Sequence, residues 1–441
     1  MKLRDISDFQ NQEFKQQAAN ANFSKLANIM GLKPTANKVI NTVMMENINT
    51  WEKVEVVSSI TALKTLYMGG SSNIDGVITN MCSNYTGANN LCLLDSKGDF
   101  GSRLNKSAAA SRYIQCRLSK NFSKLFNKED LNVLPRYNFE GKDIEYQFLS
   151  YNLPLLLING AEGMGSGHAQ NILPRDPENI KKYITAKLTN KKVDPKWLYP
   201  SWNGFTGEIT KGDNDNQWII KGMFKKISQT KIEISEVPIG ENYLSFKKKL
   251  NTLVNNGTIK SFDDLCDPKN DKFLAVIHAS KEFIENADHQ KLKLQSSITE
   301  NFTVNDENNA IIRHNSVEDV IEHYIKIKMN ILQKRKTFVL KRINDDISYE
   351  ESKKLFIDNI INNKIIINKR SKKDIINDIE KIDGIVKKDG TYNYLLSMPL
   401  YSLSEEKIKD LEKIIKEKQK EYKVLEIKTE TDLWIEDLKD L

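Results

Sequence analysis

Between residues 22 and 138 apolar positions recur three and four apart, as in Val39-Ile40-Asn41-Thr42-Val43-Met44 and along Trp51 to Tyr67. That spacing predicts short helices with one buried face, and short connections between them are compatible with a helix-turn-helix domain. Gly69-Gly70-Ser71-Ser72 breaks one helix and can start the next. Asp95-Ser96-Lys97-Gly98-Asp99 reads as a loop, and Ala108-Ala109-Ala110-Ser111-Arg112-Tyr113 after it as the end of a small-residue helix. From about 150 to 315 the period changes. Gly207-Glu208-Ile209, Gln217-Trp218-Ile219-Ile220, Lys231-Ile232-Glu233-Ile234 and Phe273-Leu274-Ala275-Val276-Ile277 read as strands, with the polar turn Lys211-Gly212-Asp213-Asn214-Asp215 between the first two. This segment is expected to form a separate α+β domain.

The remainder is charged helix. Val317, Val320, Ile321, Tyr324, Ile327 and Ile331 mark one apolar face; Ile408, Leu411, Ile415, Tyr422 and Leu425 mark another at near-heptad spacing. Ser402, with Glu405 three residues on, predicts a capping box at the start of the second helix. About seventy residues separate the two helices, enough for them to return as an antiparallel arm around a small helical head. Lys418 falls on the seam, where its stem can cross apolar surface while its charge reaches water. The expected organisation is a multidomain α+β chain with segments 1–148, 149–315 and 316–441.

At 441 residues the chain has the length of roughly three domains. With 28% charged and 39% apolar residues it is expected to fold as a globular protein. The net charge of +7 suits a polyanionic partner, and equally a lysine-rich solvated surface. Cys82, Cys92, Cys116 and Cys266 are scattered without a CxxC pair, and Met1-Lys2-Leu3-Arg4-Asp5 leads into polar sequence. A reduced, cytoplasmic setting is the expectation. Leu153-Pro154-Leu155-Leu156-Leu157-Ile158 is far shorter than the ~18 apolar residues of a membrane span, so no membrane partner is expected.

Arg112-Tyr113 is the candidate chemistry. A phenolic oxygen can attack a phosphodiester if a neighbouring guanidinium holds the charge growing on the phosphate oxygens. Lys97, Arg103, Lys106, Arg112, Arg117 and Lys120 crowd the same stretch, and Phe100-Gly101-Ser102 offers an aromatic wedge with backbone amides for a phosphate. A solvated basic face is the other reading. Gly163-Met164-Gly165-Ser166-Gly167 lacks the lysine of a P-loop, since His168-Ala169 follows it. Asp213-Asn214-Asp215 has metal-pair spacing but reads as a hairpin tip. His168, His278, His289, His314 and His323 are dispersed without ligand spacing, and none is a candidate base for Tyr113.

The stretch Leu94 to Ser102 followed by Ala108-Ala109-Ala110-Ser111-Arg112-Tyr113 resembles the active-site region of type IIA DNA topoisomerases: gyrase A, topoisomerase IV and their phage relatives. Further resemblances follow in order over nearly the whole chain. Gly31-Leu32-Lys33-Pro34 is similar to the family's GLKP turn, Asn159-Gly160-Ala161-Glu162-Gly163-Met164-Gly165-Ser166-Gly167 to its glycine-rich loop, and Ile234-Ser235-Glu236-Val237-Pro238 to its tower strand. Asp432-Leu433-Trp434-Ile435-Glu436-Asp437-Leu438 is similar to the close of the breakage-reunion core. The chain departs from the family in Met30 before GLKP, in Ala36-Asn37-Lys38 after it, and in the absence of histidines from Tyr67-Met68-Gly69-Gly70.

The resemblance implies a winged-helix cleavage domain, an α/β tower domain, and a coiled-coil arm ending in a dimerisation head near residues 350–400. It implies that Tyr113 forms a 5′-phosphotyrosine link and that Arg112 stabilises the transition state. Lys33, Ser72, Lys97, Phe100, Ser102, Arg103, Lys106, Arg117 and Met164 are then expected at double-stranded DNA. Met164 stands where the family carries an isoleucine wedged between base pairs; a packed methionine beside a tight turn is the other reading. The expected assembly is a homodimer within a heteromeric, ATP-dependent complex. Mg²⁺ and ATP are both expected on partner subunits carrying the TOPRIM and ATPase parts. Relaxation or decatenation is expected rather than supercoiling, and the T-even-type phage medium subunit is the nearest match in length and lysine-, asparagine- and isoleucine-rich composition. The competing class is a non-enzymatic, architectural DNA-binding dimer; a tyrosine recombinase would need several Arg and His around the tyrosine.

Overall fold

Pro34 starts the helix Pro34–Met45 in a computed structural model of the chain, which describes residues 6–120, 122–439 and 441. Its fixed φ and missing N–H suit the first helical position. The polar reading of Met1 to Asp5 lies outside the described residues. Gly31, just before, has φ +110°, and a Cβ there would stand 2.4 Å from the Leu156 nitrogen. Only glycine can make the turn that leads into this helix.

Val39, Ile40 and Val43 form the helix's buried face and pack with Val54–Lys64 and Ser71–Cys82. A three-stranded antiparallel sheet accompanies this trio, ordered Glu52–Lys53, Gln115–Leu118, Leu94–Lys97. Two features differ from the sequence expectation. The segment expected as a loop contains the strand Leu94–Lys97. The small-residue run is extended chain ending in a turn at 111–113, not a helix. Alanine propensity loses there to longer-range bonds: Ala109 N–H donates to Asp99 O (3.0 Å), and Val54 N–H to Ile114 O (3.1 Å).

The α+β segment contains a four-stranded antiparallel sheet built from Met223–Ser228, Lys231–Glu236, Ala275–His278 and Ser261–Asp264, in that spatial order. Ile232, Ile234 and Ile277 on its buried face pack with Phe246, Leu250 and Leu253 of the helix Tyr243–Asn255. That helix starts with a capping box between Asn242 and Ser245. A second sheet pairs Gln217–Lys221 with Glu208–Lys211 and Gln295–Thr299; residues 213–215 form the exposed hairpin tip expected of them. Arg175 and Glu300, fully buried, join in a two-pronged ion pair that also takes the Trp218 indole N–H at 2.8 Å.

The chain divides into two compact units, 1–328 with 437–441 and 329–436. The first twelve residues of the long helix Val317–Ile361 belong to the first unit. There the Tyr324 hydroxyl donates to Tyr151 O, and Lys328 pairs with Asp130 at 3.0 Å, both charges out of water.

In the second unit the rest of that helix runs antiparallel to Glu405–Ile427, with Ile343, Ile347 and Ile415 between them. Lys418 on the seam reaches Asp346 at 2.7 Å. The helix begins at Glu405 with Ser404 as its cap, the hydroxyl accepting from Lys407 N–H, so the expected capping box at Ser402 is corrected: Ser402 ends a short 3₁₀ turn. The head is a cluster that includes Phe356, Ile365, Ile379 and Leu395. Among the described residues no helix is long and apolar enough to cross a membrane.

Candidate functional site

Ile114 is buried under the sheet and anchors the turn before it, so that Tyr113 is thrown outward, 74% exposed. Tyr113 N–H closes the turn on Ala110 O (2.9 Å), and Ser111 O takes the N–H of Glu55 in the first turn of the helix Val54–Lys64. Arg112 is also exposed, its guanidinium carbon 5.7 Å from the centre of the tyrosine ring. An exposed cation beside an uncovered phenol can bind a phosphate that approaches the hydroxyl.

The other predicted contacts separate into groups. Lys97 and Lys106 are exposed, and Lys106 Nζ leans on Gly240 O at 3.2 Å. Arg117 is half-buried; Nε holds Asp95 at 3.1 Å, and the guanidinium lies 4.3 Å from the Trp51 ring centre. Lys97 Nζ lies 5.9 Å from the same indole, so Trp51 is flanked by two cations. Trp51 was not singled out from the sequence. The signal for it is sheet register, which pairs Glu52 with Cys116 and Asp95 with Arg117.

Ser102 belongs to a tight turn, with its N–H on Asn105 O (2.7 Å) and its hydroxyl accepting from Asn105 N–H. Ser72 is exposed in the first turn of Ser71–Cys82, which begins on Gly70 without a side-chain cap. Amides left open at such an end suit an anion.

Two expectations are corrected. Phe100 is 5% exposed and its ring belongs to the core, so it is no wedge. Arg103 is 6% exposed. Its guanidinium donates to Glu236 Oε1 (2.5 Å) and Val237 O (2.6 Å), 5.1 Å from the Phe273 ring centre. It joins the loop to the strand Lys231–Glu236 rather than facing a ligand.

Lys33 and Met164 are linked through Glu162. Lys33 caps the helix Pro34–Met45; burial pushes its ammonium pKa down, Glu162 opposes that, and Lys25 adds to it. Glu162 lies on the strand Ala161–Met164, which pairs with Ala169–Ile172 in a hairpin. Met164 ends the first strand, 81% exposed. A packed methionine is excluded by that exposure.

Among the described residues no three His, Cys, Asp or Glu side chains are grouped to hold a metal ion.

A family model for the A-subunit of DNA gyrase/topoisomerase IV matches residues 27–439. The mitochondrial DNA topoisomerase 2 of Dictyostelium discoideum is 29% identical over 98% of this chain and 35% of its own length. The DNA topoisomerase 2-alpha of Cricetulus griseus is 30% identical, over 92% of this chain and 29% of its length. DNA topoisomerase 2 of Acanthamoeba polyphaga mimivirus is 26% identical, over 92% and 38%. The chain thus spans about a third of the length of these relatives. A solved structure, the Plasmodium falciparum topoisomerase II DNA-binding, cleavage and re-ligation domain, superposes with a TM-score of 0.85 at 27% identity, covering 98% of this chain and 63% of that one.

Proposed function

The chain belongs to the A-subunit family of DNA gyrase/topoisomerase IV, and from that premise we propose that it cleaves and rejoins DNA within an ATP-dependent type II topoisomerase. The observation that carries this is Tyr113, uncovered on its turn with the Arg112 guanidinium beside it. In the proposed step the Tyr113 oxygen attacks a backbone phosphorus. The O–P bond to the tyrosine forms and the bond to the 3′ oxygen breaks; the phenolic proton leaves to solvent or a base of another chain, and the departing 3′ oxygen takes a proton from solvent. The strand keeps its 5′ phosphate on Tyr113 and a free 3′ hydroxyl, and reversal rejoins it. Arg112 holds the charge on the non-bridging oxygens.

A double-strand break needs two such tyrosines, so the active form is a homodimer. The helical trio and its sheet serve as the winged-helix domain, the two sheets of the α+β segment as the tower, and the antiparallel arm ends in the dimerisation head. Lys97 and Lys106 bind the backbone from the tyrosine loop, Lys33 and Ser72 from helix starts, Ser102 through its turn, and Arg117 together with Trp51. Met164 is the intercalating wedge. Mg²⁺ and ATP belong to TOPRIM and ATPase parts outside the described residues, on partner subunits. Relaxation or decatenation is the expected outcome, in a cytoplasmic or nucleoid setting. The phage medium-subunit type is supported by the lysine-, asparagine- and isoleucine-rich composition alone, the relatives above being eukaryotic and giant-viral.

Mixing the chain with its partner subunits, Mg²⁺ and supercoiled DNA, then denaturing, should leave DNA covalently on the wild type and none on Tyr113→Phe. Equal trapping by both would refute the cleavage role. No trapping by either, with bound DNA still bent, would favour the architectural dimer.

A further inference from the structure

The hairpin that carries Met164 closes through Gly165-Ser166-Gly167-His168, where Gly165 N–H donates to His168 O at 2.8 Å. A four-residue glycine-rich tip is intrinsically loose, because glycine imposes little on its own backbone. Here the tip is gripped from outside. Asn22, in the last turn of the helix Lys15–Lys25, is 3% exposed, and its Oδ1 accepts from Ser166 N–H at 2.6 Å. Its Nδ2 donates to Ser166 O at 3.1 Å and lies 3.4 Å from His168 Nδ1. One side-chain amide therefore satisfies both backbone groups of Ser166, which needs a donor and an acceptor at the same reach.

Two glycines of the hairpin, Gly163 and Gly165, are shaped to this grip. A Cβ on Gly165 would stand 1.9 Å from Asn22 Oδ1, and one on Gly163 would stand 2.3 Å from Lys25 O. They mark where the end of a helix sits against the hairpin, which accounts for a glycine pattern that resembles a nucleotide cradle. The base of the hairpin is tied to the same stretch. Ala27 N–H donates to Gln170 Oε1 at 2.8 Å, while Gln170 Nε2 donates to Thr303 O at 2.8 Å. Met164 stands between a pinned tip and a pinned base.

We propose that Asn22 is a positioning residue for DNA bending: its clasp on Ser166 holds the hairpin tip so that Met164 stays projected against the resistance of stacked bases. The proposal rests on the reading of Met164 as the wedge. Unstacking a base step opposes insertion, and a tip free to fold back would yield before the DNA does. The clasp converts an exposed methionine on a glycine loop into a fixed one.

The test uses the full chain and a short duplex with a dye at each end, energy transfer reporting the bend and anisotropy the binding. Loss of two hydrogen bonds should lower the bent-to-straight ratio of bound DNA in Asn22→Ala by roughly ten-fold. Saturable binding and the thermal midpoint should be retained. Asn22→Asp, which keeps the acceptor for Ser166 N–H, should recover part of the bend. Gly165→Ala should repeat the loss from the hairpin side and carries the test if Asn22→Ala folds poorly. Met164→Ala should straighten the DNA, and the double variant with Asn22→Ala should be no straighter. Wild-type bending by Asn22→Ala and Gly165→Ala, with straight DNA on Met164→Ala, would overturn the clasp and leave the wedge standing. Wild-type bending by Met164→Ala would overturn the wedge and the clasp with it.

Discussion

Arg103 and Lys106 are three residues apart in one basic run, yet one is buried in an ion pair with Glu236 and the other is exposed. The run was legible in the sequence as a group of cations. Which of them turns inward was not, because the partner of Arg103 lies 133 residues away. The same holds for Phe100, whose burial depends on tertiary packing that no local pattern records. The two kinds of cation should separate by experiment. Arg103→Ala leaves Glu236 uncompensated and should cost about 3 kcal/mol in a denaturant titration. Lys97→Ala or Lys106→Ala should leave stability unchanged and reduce the slope of log affinity against log salt by about one. An unchanged salt slope in both lysine variants would remove them from the DNA backbone.

At the scale of elements, periodicity located the helices and strands whose buried faces repeat, as in Pro34–Met45 and Lys231–Glu236. It failed where a segment is held by its neighbours instead. The run before Arg112 reads as helix by composition but spends its backbone bonds on Asp99 and the adjoining turn. Residue-level capping rules also misjudged the second arm helix by two positions, since Ser402 and Ser404 are both competent caps and only one meets the helix axis. Ser404→Ala should therefore cost about 1 kcal/mol in unfolding of the arm, and Ser402→Ala only a few tenths. A further test concerns the pair His314 and His323, whose ring nitrogens lie 3.2 Å apart. Burial lowers the pKa of His314, the neighbouring His323 lowers it further, and Asp319 opposes both. The unfolded chain thus binds a proton first as pH falls below about 6.5, so stability is lost on acidification through that window and regained as pH rises. His314→Gln should flatten this slope in urea titrations between pH 7 and 5, to the extent that about one proton no longer separates the two states.

For the whole molecule, the order of short motifs was enough to name the family, and residues 27–439 match its model. The start of the arm was less legible. The first turns of the long helix pack with residues 1–328, because Tyr324 and Lys328 are buried against Tyr151 and Asp130. Nothing in the arm's heptad pattern distinguishes those first turns from the rest. At every scale the proposed role of Tyr113, set out on its turn, is to become the covalent anchor of a cut DNA end. The most direct measurement is to trap the complex on DNA labelled separately at its 5′ and 3′ ends, digest the protein, and sequence the nucleotide-bearing peptide by mass spectrometry. The account predicts a single modified site, Tyr113, carrying the 5′ phosphate of the downstream strand. Attachment through a 3′ phosphate, or to any residue other than Tyr113, would contradict it.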